Sequence, residues 1–227
     1  MNTSDRLTEI ISWIRDTTDV AGGRGALVPV SGGSDSALCF WLCAQALPRG
    51  RAVGAYSGTR LRCREWFESI GTVRYLPEPP AASHPEAARW SSMLALSLEV
   101  RGWLVGTRNR TEEVFGTYSL ASRVATYLPL AGLWKSEVMA LAEAVGVPDE
   151  VLDSSRRADP SCGRPIEMAM IPFEIIDRFL QARVGERPPS DLCDIPASTL
   201  EYLDGVYCRN QFKKGLPLKP PAPGMSL

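Results

Sequence analysis

Residues 26–30, Ala26-Leu27-Val28-Pro29-Val30, form an apolar run that passes directly into Ser31-Gly32-Gly33-Ser34-Asp35-Ser36 and then into an apolar stretch reaching residue 47. The run is too short for a buried helix and reads as a buried strand. Residues 35–47 read as a helix, ended by Pro48-Arg49-Gly50. A strand that stops at glycines and feeds a helix gathers free N–H groups and the positive end of the helix dipole at one point, where an anion is favoured. The glycines let the backbone approach a phosphate and adopt positive φ. Ser31, Ser34 and Ser36 add short hydroxyl donors. Asp35 alone would repel a phosphate, and it makes sense with a Mg²⁺ between carboxylate and phosphate oxygens. The competing reading is a Ser/Gly turn with Asp35 as helix cap.

The same alternation continues along the chain. A helix is predicted over residues 5–17, from the spacing of Leu7, Ile10, Ile11 and Ile14. Strand-like stretches follow at 51–57, 72–76, 103–106 and 126–130. A helical stretch follows each of them, at 62–70, 86–101, 111–120 and 135–145. This order predicts an α/β fold: a three-layer, Rossmann-like, doubly wound parallel sheet of about five strands with helices on both faces. Residues 1–184 are expected to form this domain, and the Pro-rich residues 185–227 an extension packed on it, with one helix near 198–207.

The formal net charge of −1 argues against a field that would attract nucleic acid or an anionic membrane. No apolar run approaches the roughly 18 residues of a membrane span. The first residues lack a basic segment followed by an apolar signal core, so a cytoplasmic protein is expected. Cys39, Cys43, Cys63, Cys162, Cys193 and Cys208 include no C-x-x-C pair, and His84 is the only histidine. Free thiols are therefore expected rather than a structural zinc site.

Ser-Gly-Gly-x-Asp-Ser after a strand resembles the pyrophosphate-binding loop of the N-type ATP pyrophosphatases, and later segments resemble their NAD synthetase branch. Thr59-Arg60-Leu61 follows the second strand. Leu104-Val105-Gly106-Thr107-Arg108-Asn109-Arg110-Thr111-Glu112-Glu113 is similar to that family's V-x-G-T…E segment. Pro129-Leu130-Ala131-Gly132-Leu133-Trp134-Lys135 is similar to its P-L-x-x-L-x-K entry, and Phe212-Lys213-Lys214-Gly215-Leu216-Pro217 to its basic C-terminal segment. The resemblance implies that Asp35 and Glu112 hold Mg²⁺, that Arg60 and Thr107 contact the adenosine of ATP, and that the protein is a homodimer. The helices at 5–17 and 86–101 are candidate interface elements. Lys135 is expected to anchor or cap its helix rather than touch ATP.

Two segments depart from the family pattern. Where the family reads G-[YF]-F-T-K-[YF]-G-D-G, this chain has Gly116-Thr117-Tyr118-Ser119-Leu120-Ala121-Ser122-Arg123, so Ser119 stands for the threonine, Leu120 for the lysine and Arg123 near the first aspartate. Ser119 and Arg123 are taken as substrate-binding candidates. Where the family has K-x-P-[ST]-A-D-L, Ser154 occupies the lysine position, and Arg156 and Arg157 follow. A guanidinium neutralises phosphate and binds it bidentately, which makes those arginines catalytic candidates beside Asp35. The activity this implies is ATP cleavage to AMP and pyrophosphate, with adenylation of a small-molecule carboxylate and its amidation by ammonia or an amine. The nitrogen would arrive free or from a separate ammonia-supplying protein. Alternatives are sulfur transfer, with Cys162 in a basic loop, and a nucleotide-binding regulator without turnover.

Overall fold

The computed structural model describes residues 2–78, 84–156 and 166–216. Its centre is a parallel sheet of four strands, β1 (Gly25–Pro29), β2 (Ala52–Ser57), β3 (Thr72–Leu76) and β4 (Gly102–Leu104), in the order β3-β2-β1-β4. Leu27 of β1 sits in register with Val53 on one side and Leu104 on the other. Parallel neighbours need long crossovers. These are α2 (Ser34–Ala46), α3 (Arg64–Ile70) and α4 (Pro85–Glu99).

Period-two alternation along β1 separates the faces. Ala26, Val28 and Val30 join Ile10 and Ile14 of α1 (Thr3–Val20), Leu38 and Leu42 of α2, and Val138 and Leu141 of α6 (Lys135–Ala144). Leu27 turns the other way, onto Ala55, Leu104 and the α4 residues Met93 and Leu96. The predicted three layers are thereby formed. In α2, Leu38, Cys39, Phe40, Leu42 and Cys43 are all fully buried. Beyond the first turn only Trp41, Ala44 and Gln45 near its end reach solvent, so its polar chemistry is confined to the first turn. The Cys39 thiol is pushed well above its ordinary range by its hydrogen bond with Cys43 and by burial, which keeps it unreactive. Cys63, Cys193 and Cys208 are also free thiols, and Cys162 lies outside the described residues.

The predicted fifth strand is corrected to a single bridge, so the sheet has four strands among the described residues. Thr126 N donates to Leu104 O at 2.7 Å and Gly106 N to Tyr127 O at 3.0 Å. Tyr127 pairs in parallel with Val105, and the chain then turns. Pro129 has no N–H with which to continue the ladder. The helix predicted over 111–120 is shorter, because α5 (Arg110–Phe115) ends at Gly116, whose φ is +72°. A 3-10 turn over Leu120–Val124 follows.

A second apolar cluster joins Phe115 and Trp134 to Ile176 and Leu180 of α9 (Phe173–Arg183) and to Leu203 and Val206 of α10 (Ala197–Asn210). The remaining helices are α7 (Asp149–Arg156) and α8 (Ile166–Ala169). No helix among the described residues is long and apolar enough to cross a membrane.

The chain runs outward from β1 to β2 and β3, then returns to place β4 on the other side of β1. The order therefore reverses between β1 and β4, and in open α/β sheets the crevice beyond the carboxyl ends of such strands is where ligands bind.

Gly116 makes this arrangement depend on a missing side chain. A Cβ there would lie 2.6 Å from the Asn210 Cβ and 2.9 Å from its carbonyl oxygen, in addition to the positive φ. Gly116→Ala is expected to lower stability by about 1–3 kcal/mol, measured by urea denaturation. An unchanged midpoint would contradict the packing of α10 against this turn.

Candidate functional site

A cavity of about 760 Å³ opens beyond the carboxyl ends of β1 and β4, within the size range of small-molecule sites. Ser31, Gly33 and Asp35 line it from the β1–α2 loop, Thr107 and Glu112 from the segment after β4, and Ser154 and Ser155 from α7. Arg62, Glu86, Arg89, Trp90, Tyr118 and Ser119 are among the residues of the wall away from the loop.

The loop is built by its own hydroxyls. Gly32 has φ of +80°, which turns the chain from β1 into α2. Ser36 Oγ donates to Gly33 O at 2.9 Å and accepts from Ser31 N at 3.0 Å. Ser36 is therefore a staple inside the loop, and its hydroxyl is not presented to the cavity as the sequence suggested. Ser34 is buried as well: its Oγ lies 2.8 Å from Ser155 Oγ and 2.8 Å from Lys135 Nζ, and its N–H donates to Ser155 Oγ at 3.2 Å. The cap of α2 is Gly33, not Asp35, and it offers no side chain to the first-turn N–H groups. That leaves the helix end able to receive an outside anion.

Two neighbouring helix starts are closed instead. At α5, Asn109 Oδ1 accepts from Glu112 N at 2.9 Å and Glu112 Oε2 accepts from Asn109 N at 3.2 Å, a reciprocal capping box. At α6, Lys135 N donates to Thr111 Oγ1 at 2.8 Å, Ser136 N to Asp177 Oδ2 at 2.8 Å, and Trp134 N to Glu137 Oε2 at 2.7 Å. Thr111 Oγ1 in turn donates to Asp177 Oδ1. These bonds fix the start of α6 and so aim its first side chain.

That side chain is Lys135, which is 3% exposed. Its Nζ pairs with Asp35 Oδ2 and donates to Ser34 Oγ. The other oxygen, Asp35 Oδ1, accepts from Asn109 Nδ2 at 2.6 Å. Lys135, expected to anchor or cap its helix rather than touch ATP, thus also stands in the loop's own charge network. A buried lysine is tolerated only with a paired anion and satisfied donors, and both are supplied here.

Several of the expected arginines lie away from the cavity. Arg60 is exposed and absent from the cavity wall; its carbonyl accepts from Tyr56 OH at 2.9 Å. Buried Leu61 pins the segment, and Arg62 faces the cavity, donating to Gly32 O at 3.4 Å. Arg123 also points away, donating to Lys213 O at 2.8 Å and Leu216 O at 2.9 Å. Arg156 faces outward and pairs with Asp153 and Glu143. Buried Val151 and Leu152 set the orientation of α7, so Ser154 and Ser155 meet the cavity instead. Arg157 lies outside the described residues.

Sequence reasoning missed Asn109, Ser155, Arg62 and Arg89. Asn109 was findable, because Asn-x-x-Glu at the start of a helix is a capping-box pattern. Arg89 carries no local signal beyond its place on an amphipathic helix.

Removal of the Lys135 cation leaves the Asp35 carboxylate in a partly buried place. Lys135→Ala is expected to destabilise the nucleotide-free protein by about 3 kcal/mol. Adding Asp35→Asn should recover part of that loss in a double-mutant cycle. Purely additive effects, with coupling below about 0.5 kcal/mol, would contradict the pair.

The cavity at the strand reversal, the open start of α2 and the carboxylates of Asp35 and Glu112 invite comparison with known proteins. The NAD synthase family model matches residues 86–217, more than half of the chain. The NH(3)-dependent NAD(+) synthetase of Thermococcus sibiricus is 24% identical over 243 positions, spanning 94% of this chain and 96% of its own. That of Mannheimia succiniciproducens is 27% identical over 258, spanning 98% of each. Among solved structures, the NH3-dependent NAD synthetase of Campylobacter jejuni superposes with a TM-score of 0.77 at 17% identity, covering 97% of this chain and 100% of that one. The NMN synthetase of Francisella tularensis gives 0.80 at 21% identity, covering 97% and 99%. Both structures share the fold described above, and the relatives align beyond the family match through the Ser31–Ser36 loop. The chain belongs to the NAD synthase family.

Proposed function

We propose that this protein is an ammonia-dependent ligase that cleaves ATP to AMP and pyrophosphate and converts deamido-NAD to NAD. The observation that carries this reading is one cavity shared by the open start of α2, Asp35 and Glu112. Its sequence relatives bear the name NH(3)-dependent NAD(+) synthetase over nearly their whole length.

The pyrophosphate end of ATP is assigned to the loop from Ser31 to Ser36, where first-turn amides of α2 and the Lys135 ammonium favour negative charge. Thr107, at the carboxyl end of β4, is assigned to the nucleoside. Mg²⁺ fits the donor set: it commonly binds one or two carboxylates together with substrate phosphates, rather than an all-protein cage. No cluster of three or more His, Cys, Asp or Glu suited to a metal exists among the described residues. Asp35 and Glu112 would hold the ion, whose chemistry is to neutralise charge on the triphosphate. Arg62 and Arg89 add cations on the cavity wall for the anionic substrate.

Two displacements follow. A carboxylate oxygen of the substrate attacks the α-phosphorus of ATP; the bond from that phosphorus to the bridging oxygen breaks, and pyrophosphate leaves with the bond's electron pair. Ammonia then attacks the acyl carbon of the adenylate through its lone pair. AMP departs with the acyl–oxygen electrons, and the nitrogen loses a proton to give the amide. The residues around the loop serve by charge placement rather than by proton transfer.

The ammonia is taken to arrive free or from another protein, and the enzyme to act in the cytoplasm. We assign a homodimer contact to α4 and the adjacent 3-10 turn, where Leu94, Leu98, Leu120 and Val124 are exposed.

Incubation with ATP, Mg²⁺, ammonium and deamido-NAD is expected to release equal amounts of AMP and NAD, read by chromatography. Asp35→Ala should lower kcat/KM by at least about 100-fold, a loss of some 2.7 kcal/mol of transition-state stabilisation. Turnover of nicotinate mononucleotide alone would keep the ligase chemistry and replace the substrate. Absence of AMP release with either acid would overturn the enzymatic reading in favour of a nucleotide-binding regulator.

A further inference from the structure

We infer that Asn109 is the positioning residue that sets Asp35 and Glu112 in one fixed arrangement for the metal. This rests on the proposed role of those two carboxylates. Asn109 is 2% exposed and lies between them. Its Nδ2 donates to Asp35 Oδ1 at 2.6 Å, across 74 residues of sequence. Its Oδ1 accepts from Glu112 N at 2.9 Å, and its own N–H donates to Glu112 Oε2 at 3.2 Å.

The chemistry permits only one orientation of this amide. Rotated by half a turn, the carbonyl oxygen would face the Asp35 carboxylate and the NH₂ would face the Glu112 N–H, so both bonds would be lost. An aspartate would bring a second carboxylate against Asp35. A serine or threonine could still cap α5, yet it has no N–H to give and is one atom too short to span to Asp35. Capping alone therefore does not require an asparagine here, since a serine would serve. The side chain couples the α2 start to the α5 start, and it does so through the two residues assigned to the ion.

Asp35 is consequently held from two sides, by Asn109 on Oδ1 and by Lys135 on Oδ2. With Asn109 gone, the bond that holds Oδ1 on the α5 side is lost, and the contacts that stay on Oδ2, from Lys135 and Ser34, draw the carboxylate toward the cation. Residues that orient metal ligands typically matter by 10–100-fold in metal affinity or activity.

The test uses the full chain and no second substrate. ATP binding is followed by calorimetry while Mg²⁺ is titrated, in the wild type, Asn109→Ser, Asn109→Ala and Asp35→Ala. In Asn109→Ser the Mg²⁺ concentration for half-maximal enhancement of ATP binding should rise about tenfold or more. Its Tm should stay close to wild type and above that of Asn109→Ala, because the cap is retained. A wild-type Mg²⁺ response in Asn109→Ser would overturn the inference and leave Asn109 as a cap only. If Asp35→Ala also leaves the Mg²⁺ response unchanged, the assignment of the metal pair falls with it. If Asp35→Ala raises the requirement while Asn109→Ser does not, only the role of Asn109 falls. Asn109→Thr, the alternative capping residue, provides the same comparison should the serine variant fail to fold.

Discussion

The Asp35 carboxylate is gripped on both oxygens, by Asn109 Nδ2 at 2.6 Å and by the buried Lys135 ammonium. Each partner comes from a different part of the chain: Asp35 from the first turn after β1, Asn109 from the cap of α5, Lys135 from the start of α6. The sheet order and the register of β1 with β4 bring these elements to one place. Taking a lysine out of water costs several kcal/mol. That cost is offset only while all three elements are docked, so the ion pair couples the local geometry of the loop to the integrity of the fold.

Helix ends determine where an outside anion can go. The α5 start is closed by its Asn109–Glu112 capping box, and the α6 start by Thr111, Asp177 and Glu137. The α2 start is capped by a glycine. Its remaining first-turn amides therefore form the favourable terminus for phosphate beside the cavity. The closed ends serve a second purpose, since they fix the backbone from which Glu112 and Lys135 project. Preorganised charge of this kind is worth most in a partly water-excluded site.

Much of this was legible in the sequence, for definite reasons. The fold class followed from apolar runs separated by helical periodicity, and the loop from glycines placed between a strand and a helix. Asp35, Glu112, Thr107 and Ser119 do line one cavity. The arginines were harder. Arg60 and Arg62 differ by two residues, and only the burial of Leu61 shows which one faces inward. Arg123 and Arg156 resemble phosphate ligands by type, yet one holds C-terminal carbonyls and the other pairs along its helix. Lys135 looked like an ordinary helix-start lysine, because its burial depends on Asp35, a hundred residues away. The fifth strand failed for a local reason: one bridge forms at Tyr127 before the turn at Pro129.

The central claim is that the loop directs attack at the α-phosphorus of ATP by a carboxylate. The most direct test starts with deamido-NAD labelled with ¹⁸O in its carboxylate and follows the label into products by mass spectrometry. The account predicts one ¹⁸O in the phosphate of AMP and none in pyrophosphate, since the oxygen that attacks leaves with AMP when ammonia enters. Label in orthophosphate with release of ADP would place attack at the γ-phosphorus and contradict it.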